Sequence, residues 1–187
     1  MFEKMIVLAL LSVFLIAAIS PRIAQKLKRI ETVGCIGIDK KLFVLGKLSL
    51  FTSYALIVVQ MFVLDLSLFG QMDVYLWICI ALMGAGVVFF VSAVCKLGTF
   101  SLRVGLAKES TNLQSTGIYR ISRNPMLAGL YLMALGSAVY VQNPVNWVLV
   151  IIALTVHHKI ILAEEVFLAA RFGEEWITYR NRVRRYL

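Results

Sequence analysis

The chain has 187 residues, of which 60% are hydrophobic, and it carries a formal net charge of +9 at pH 7. A mean hydropathy of +0.86 is too apolar for a soluble domain of this length and indicates an integral membrane protein. The basic residues lie beside apolar segments, which argues against the nucleic-acid partner that such a charge often indicates. Three cysteines without a Cys-x-x-Cys spacing exclude a disulfide framework and a cysteine-based metal site.

Five apolar segments follow one another along the chain. They are Met5–Ile19, Leu42–Leu64, Val74–Cys95, Met126–Val141 and Val145–Leu162. A straight helix needs about 20 apolar residues to cross a bilayer, so the second and third segments suffice alone. The first and fourth segments are short and need flanking residues or a thinner bilayer. Because no repeat or flexible linker divides the chain, we predict a single membrane domain over residues 1–187.

Local features refine this prediction. Gln142-Asn143-Pro144 predicts a tight turn, so the fourth and fifth segments should form an antiparallel helical hairpin. Gly84 and Gly86 in the third segment predict close contact with a neighbouring helix. The first segment has an alternative interpretation as a signal peptide, because Lys4 precedes its apolar run and Ala-Ala-Ile-Ser ends it.

Charge alternates from one connection to the next. Basic residues concentrate in the loops 21–41 and 96–123 and in the tail, whereas the connections 65–73 and 142–144 carry none. Cytoplasmic loops are the ones enriched in lysine and arginine. We therefore predict an all-α integral membrane protein with five transmembrane helices, its N-terminus outside and its C-terminus and functional site in the cytoplasm.

The tail has a helical pattern of its own. Large apolar residues recur at helical spacing between arginines, at Trp176, Tyr179, Val183 and Tyr186. This pattern predicts a C-terminal amphipathic helix that lies on the inner leaflet. Gly173 predicts the end of the helix that continues from the fifth segment.

Polar residues first concentrate just before the fourth segment, in Thr111–Met126. Pro125 suits the first turn of a helix, where its missing N–H costs nothing, and it biases Asn124 toward an extended backbone. The free N–H groups of such a helix start attract a carboxylate. Arg123 adds a planar cation that binds carboxylates with two hydrogen bonds.

The same stretch contains a turn and an aromatic ring. Gly117 permits a turn, and Tyr119 supplies a flat ring for stacking on a base. Arg120 is interpreted as a positive-inside residue that reaches lipid phosphate.

The second polar stretch is HHKIILAEE, residues 157–165, at the end of the fifth segment. His157 shares a helix face with Glu164, and His158 shares the neighbouring face with Glu165. Two acids at the C-terminal end of a helix oppose its dipole and require a cation nearby. The candidates are Lys159, Arg171, the Arg123 loop and a positively charged ligand. An ordinary interfacial belt of polar residues is the alternative, and no metal site is predicted because adjacent histidines on a helix cannot face one ion.

Residues of both stretches form a recognisable pattern. They are Gly117, Tyr119, Arg123, Asn124, Pro125 and Gly129, then Glu164, Glu165, Phe172–Trp176, Tyr179, Val183 and Arg185. The pattern resembles the isoprenylcysteine carboxyl methyltransferase family, which belongs to a wider group of membrane methyltransferases that includes the phospholipid N-methyltransferases. The resemblance covers about Leu97 to the end and is more specific for the wider group than for the acceptor.

Three positions depart from the family pattern. Asn124, Leu127 and Ile160 stand where the family has histidine, tyrosine and arginine. Lys159 or His158 would supply the positive charge that is missing at Ile160. These departures affect mainly the part of the site that receives the acceptor.

The resemblance implies that S-adenosylmethionine is the cofactor and S-adenosylhomocysteine its product. It implies that three N-terminal spans, residues 1–96, precede a cofactor-binding and catalytic part, residues 97–187. The implied cofactor-binding residues are Thr111, Asn112, Leu113, Gln114, Tyr119, Arg123, Asn124, Pro125 and Met126.

The implied reaction is methyl esterification of the α-carboxylate of an isoprenylated cysteine. The acceptor would be a prenylated protein C-terminus or a lipid-modified small molecule, within membrane lipids. The expected catalytic residues are Glu164, Arg123 and His158, and the expected substrate-binding residues are Glu164, Lys159 and Glu165. The alternatives are a phospholipid N-methyltransferase with Glu164 or His157 as base, a sterol-type membrane reductase, and a non-enzymatic helical membrane subunit.

Overall fold

The computed structural model describes residues 2–27, 38–68, 73–101 and 113–187. These residues are mainly α-helical, and no strand occurs among them. The helices are α1 (Phe2–Leu27), α2 (Lys40–Phe62), α3 (Asp73–Ser101), α4 (Pro125–Val141) and α5 (Pro144–Arg182), with a short 3-10 turn at Gly117–Arg120 before α4. The predicted all-helical architecture is confirmed for this part of the chain.

Four helices are long and apolar enough to cross a membrane, namely α1, α2, α3 up to Leu97, and α5. The apolar helix α4 has 17 residues, a length of about 25 Å, which is shorter than the usual hydrocarbon thickness. Five membrane crossings, with α4 added to these four helices, therefore remain a prediction. The first segment is longer than expected, because α1 continues through Pro21 to Leu27 instead of ending before the proline. Proline within a helix is tolerated in membrane proteins where neighbouring groups compensate the lost hydrogen bond.

Successive helices run in opposite directions. At one end of the bundle, the connection after α2 meets the α4–α5 turn, where Leu68 N donates to Gln142 O and Asn143 Nδ2 donates to Leu66 O. Near the other end, Gly46 of α2 lies directly against Val156 of α5. The end that contains the start of α4 and the tail is thus the basic one. The structure agrees with the predicted alternation of basic and base-free connections, while the side that faces the cytoplasm stays a prediction.

Glycine brings α3 and α4 into close contact. A Cβ atom built on Gly86 would lie 2.8 Å from Gly129 O, and one built on Gly129 would lie 2.6 Å from Gly86 O. Gly136 lies against the side chain of Met83, whose Cγ would be 2.5 Å from a Cβ atom built on this glycine. The predicted close contact is confirmed for Gly86. It is wrong for Gly84, whose Cβ would meet no atom within 4 Å, because this residue faces away from α4.

The α4–α5 hairpin is confirmed. Gln142 adopts a left-handed conformation (φ 50°), and its N–H donates to Ala138 O as α4 ends. Asn143 caps α5 by accepting a hydrogen bond from Val145 N, and Pro144 occupies the first turn of that helix. The chain thus reverses direction within two residues. The start of α4 and the later part of α5, which carry the polar stretches, therefore lie at the same end of the bundle.

The C-terminal region differs from the prediction. Gly173 (φ 50°, ψ −122°) breaks α5 as expected, and a helix continues from there to Arg182. The apolar side of that helix, with Trp176 and Tyr179, is buried against Phe172 and its neighbours and not exposed to lipid. Tyr186 lies beyond the helix, because the last residues turn back toward the start of α4.

Candidate active site

The 3-10 turn before α4 holds a buried tyrosine. Gly117 has a left-handed φ of 65°, which fits the predicted turn. The Tyr119 ring is buried, and its carbonyl oxygen accepts a hydrogen bond of 2.7 Å from Tyr179 Oη. Burial raises the pKa of the Tyr119 phenol, and the neighbouring Tyr179 and Glu164 raise it further. This phenol therefore stays protonated at neutral pH and does not act as a base.

Arg123 is the central cation of the site. Its Nη1 donates to Arg180 O (2.8 Å) and Val183 O (3.0 Å), and its Nη2 donates to Glu165 Oε1 (2.8 Å). Its side chain is only 7% exposed. The Arg123 guanidinium thus ties the start of α4 to α5 and to the tail, and it does not extend to lipid phosphate.

The start of α4 agrees with the prediction in the position of Pro125 but differs from it in the contacts of Asn124. Pro125 occupies the first turn of α4, and Asn124 has φ −130° and ψ 59°. The Asn124 side chain does not cap the helix but donates from Nδ2 to Arg185 O (3.2 Å). The N-terminal N–H groups of α4 are therefore not satisfied by the side chain of Asn124.

Glu165 accepts from two arginines. Beside Arg123, Arg185 donates from Nε to Glu165 Oε1 (3.0 Å) and from Nη2 to Glu165 Oε2 (2.7 Å). This hydrogen bonding to Glu165 raises the pKa of Arg185, which remains fully charged. Of the cations considered from the sequence, the Arg123 loop supplies one partner. Arg185 was missed as the second partner, since no helical spacing relates it to Glu165.

The other residues of the second polar stretch point in different directions. Glu164 precedes Glu165 and is turned about 100° from it around α5, and its charge is close enough to Tyr119 to raise the pKa of that phenol. His158 Nδ1 lies 2.6 Å from Tyr186 Oη, and His157 Nδ1 lies 2.7 Å from Ala153 O. Lys159 is exposed. The structure therefore brings His158 and Glu165 to the tail, and it separates them from Lys159.

A cavity of about 300 Å³ lies beside this cluster. It is lined by Leu113, Ser115, Glu174, Glu175, Thr178, Tyr179 and Arg182. Of the residues expected to bind a cofactor, Leu113 lines this cavity, Gln114 is half-buried but is not part of the lining, and Met126 packs against the apolar core of the bundle. Thr111 and Asn112, expected for the same role, lie outside the described residues.

Two buried N–H donors, one on Arg123 and one on a neighbouring ring, have no hydrogen-bond partner among the residues that the structure describes. They are Arg123 Nε and Trp176 Nε1. The Arg123 Cζ atom lies 5.5 Å from the centroid of the Trp176 ring, so both donors belong to one cluster. Buried donors normally have partners, which makes this cluster a candidate for binding an acceptor oxygen of a ligand.

Comparison with known protein families identifies the family of this chain. The family model described as phospholipid methyltransferase matches residues 74–175, which is more than half of the chain. The chain belongs to the phospholipid methyltransferase family. The match extends from α3 to just beyond Gly173 and includes Arg123, Glu164 and Glu165.

One curated protein that is similar to this chain supports the resemblance seen in the sequence. The chain is 36% identical over 87 residues to the protein-S-isoprenylcysteine O-methyltransferase of Saccharomyces cerevisiae. The match covers 46% of this chain and 36% of the yeast protein, so the chain matches only about a third of that relative's length.

Proposed function

We propose that this protein is an S-adenosylmethionine-dependent methyltransferase that acts on a lipid-linked acceptor. The observation that carries the proposal is the Arg123–Glu165 ion pair, which joins the two polar stretches inside the region matched by the methyltransferase family model. The acceptor that we favour is the α-carboxylate of an isoprenylated cysteine, by similarity to the yeast relative.

The residues present fit a cofactor of this size and charge. Ligand cavities usually hold roughly 300–1,000 Å³, and the cavity beside Leu113 has about 300 Å³. The start of α4 and the unpartnered Nε of Arg123 suit the carboxylate of an amino-acid group. The cofactor-binding residues that we propose are Thr111, Asn112, Leu113, Gln114, Tyr119, Arg123, Asn124, Pro125 and Met126.

S-Adenosylmethionine supplies an electrophilic methyl group that an acceptor displaces in line. A carboxylate acceptor is ionised at pH 7 and needs no general base. The protein must remove water from it and hold it at about 3 Å from the methyl carbon. In our proposal, His158 orients the acceptor carboxylate, Arg123 binds the cofactor's carboxylate through Nε, and Glu164 binds the substrate backbone. Exposed Lys159 is less well placed than His158 to contact the acceptor.

The runner-up is N-methylation of a phospholipid amine, which the description of the family model favours. An amine must lose a proton before it attacks, so this reaction needs a base. His157 provides one specific observation in support. Because a carbonyl only accepts hydrogen bonds, His157 Nδ1 must donate to Ala153 O, and the neutral ring then keeps a lone pair on Nε2.

Binding of S-adenosylhomocysteine to detergent-purified protein tests the cofactor assignment. We expect micromolar binding by the wild type, a loss of at least tenfold in Arg123→Ala, and little change in Arg120→Ala, whose side chain is exposed. Calorimetry measures the binding, and a melting curve shows that each variant is folded. A folded wild type that does not bind would remove the methyltransferase proposal and leave the non-enzymatic helical subunit as the better hypothesis.

The product then separates the two acceptors. Radiolabelled methyl transfer to a prenylcysteine gives an ester that base releases as methanol, whereas transfer to a phospholipid amine gives a base-stable product. We expect the base-labile product and an undiminished rate in His157→Gln. A base-stable product that His157→Gln abolishes would favour N-methylation.

A further inference from the structure

The last five residues, Val183–Leu187, run back across the start of α4, and we name them the C-terminal strap. Their main chain binds residues next to Pro125. Arg123 N donates to Arg184 O (2.9 Å), and Ser122 Oγ and Asn124 Nδ2 both donate to Arg185 O (3.2 Å each). The strap is therefore attached by its backbone to the same short stretch that we propose for cofactor binding.

Two consecutive side chains of the strap bind α5. Arg185 forms the two-bond contact with the Glu165 carboxylate, and Tyr186 Oη lies 2.6 Å from His158 Nδ1. The Tyr186 ring also packs on Tyr131 of α4, with centroids 5.4 Å apart. His158 and Glu165 are two helical turns apart on one side of α5, about 10 Å along its axis. Two consecutive residues of the strap thus contact both.

We propose that Arg185 and Tyr186 are positioning residues of the candidate active site, an inference that rests on the proposed function. Arg185 fixes the Glu165 carboxylate and, through it, the Arg123 guanidinium. Tyr186 occupies Nδ1 of His158, so that only Nε2 of this ring is left to contact an acceptor. The strap lies beyond residues 74–175, and the family match therefore assigns no role to it.

The first test observes His158 directly and does not depend on activity. The chain contains only two histidines, so ¹⁵N-labelled histidine gives two pairs of imidazole signals, which His157→Gln assigns. Tyr186→Phe removes the hydroxyl and keeps the ring. We expect it to shift the ¹⁵N signals of His158 and to leave those of His157, which is bound to Ala153 O, in place. The control Tyr75→Phe, at the other end of the bundle, should move neither signal.

An unchanged His158 signal in Tyr186→Phe would overturn the role of Tyr186. Equal shifts of both histidines would also overturn it, since they would indicate a general structural effect. Because the readout is spectroscopic, these outcomes stand whether or not a methyl acceptor is found.

The second test measures turnover. Arg185→Gln should lower kcat for methyl transfer by about tenfold or more, because a charge-assisted contact is lost, with partial rescue in Arg185→Lys. The matched control is Arg184→Gln, whose exposed side chain is replaced while its carbonyl still accepts from Arg123 N. In a double-mutant cycle, Tyr186→Phe should cost little further once His158 is replaced by glutamine.

The results separate the two proposals. Additive losses in the cycle, or equal losses in Arg185→Gln and Arg184→Gln, would overturn the positioning role while leaving the methyltransferase assignment intact. A wild type that does not bind S-adenosylhomocysteine would remove the assignment, and the histidine spectra would still decide the contact between Tyr186 and His158.

Discussion

At the scale of single residues, two neighbouring glutamates have different environments. Glu165 is half-buried and receives hydrogen bonds from Arg123 and Arg185, whereas Glu164 lies near Tyr119. Removing one partner of a buried ion pair is costly because the remaining charge stays without compensation. We therefore assign structural importance to Glu165 and keep Glu164 as the acid proposed to contact substrate.

This difference predicts unequal effects of two substitutions. Glu165→Gln should lower the free energy of unfolding by about 2–4 kcal/mol, because Arg123 remains nine-tenths buried opposite a neutral group. Glu164→Gln should cost less than about 1 kcal/mol in stability but should reduce methyl transfer. Unfolding in mixed detergent micelles measures the first quantity. Similar losses of stability in both variants would contradict the assignment.

At the scale of helices, one glycine pair determines how closely α3 and α4 approach. A Cβ atom on Gly86 would lie 2.8 Å from the backbone oxygen of Gly129, and one on Gly129 would lie 2.6 Å from that of Gly86, both too close for a real Cβ contact. Helices in a membrane associate largely through such close packing, since lipid removes the hydrophobic force between them. The contact holds the start of α4, and with it Arg123, at a fixed height along α3.

We expect Gly86→Ala and Gly129→Ala each to lower the unfolding free energy by about 1–3 kcal/mol, because backbone atoms cannot move aside without separating the helices. Gly84→Ala is the matched control on the same helix and meets no atom within 4 Å. It should be neutral or stabilise the protein by up to about 1 kcal/mol, owing to the higher helix propensity of alanine. Thermal unfolding experiments measure the stability of the three variants relative to the wild type. Equal destabilisation by all three would show that this contact is not specific.

At the scale of the whole molecule, the alternating helices gather the chemistry at one end. The α4 start, the end of α5 and the strap lie at the basic end, and the α4–α5 turn lies at the other with the connection after α2. Under the proposed function, this arrangement would let a water-soluble cofactor enter at the basic end while the isoprenyl chain of the acceptor lies between helices.

The orientation of the bundle can be measured by cysteine labelling. In a background with Cys35, Cys79 and Cys95 replaced, Leu68→Cys and Arg120→Cys place one exposed thiol at each end. A membrane-impermeant maleimide applied to right-side-out vesicles should label the Leu68→Cys variant at once and the Arg120→Cys variant only after permeabilisation. The reverse pattern would place the candidate site outside the cell, and labelling of both variants from one side would contradict the bundle.

The sequence by itself determined the helices, the hairpin and the position of the polar stretches. These features depend on neighbouring residues: apolar runs of sufficient length, Pro125 and Pro144 at helix starts, and Gly173 at a break. The family resemblance of Arg123 and the Glu164-Glu165 pair was also visible in the sequence alone, and the family match confirms it.

Only the tertiary structure decided which of these residues meet. Glu165 pairs with Arg123 at a separation of 42 residues and with Arg185 at 20, and neither distance is a helical spacing. The tail pattern predicted one lipid-facing helix through Tyr186, but the carbonyl groups of Arg180 and Val183 give Arg123 the partners that its buried guanidinium requires. A buried cation must be compensated from whichever segment the fold brings near, and that choice is not encoded in local sequence.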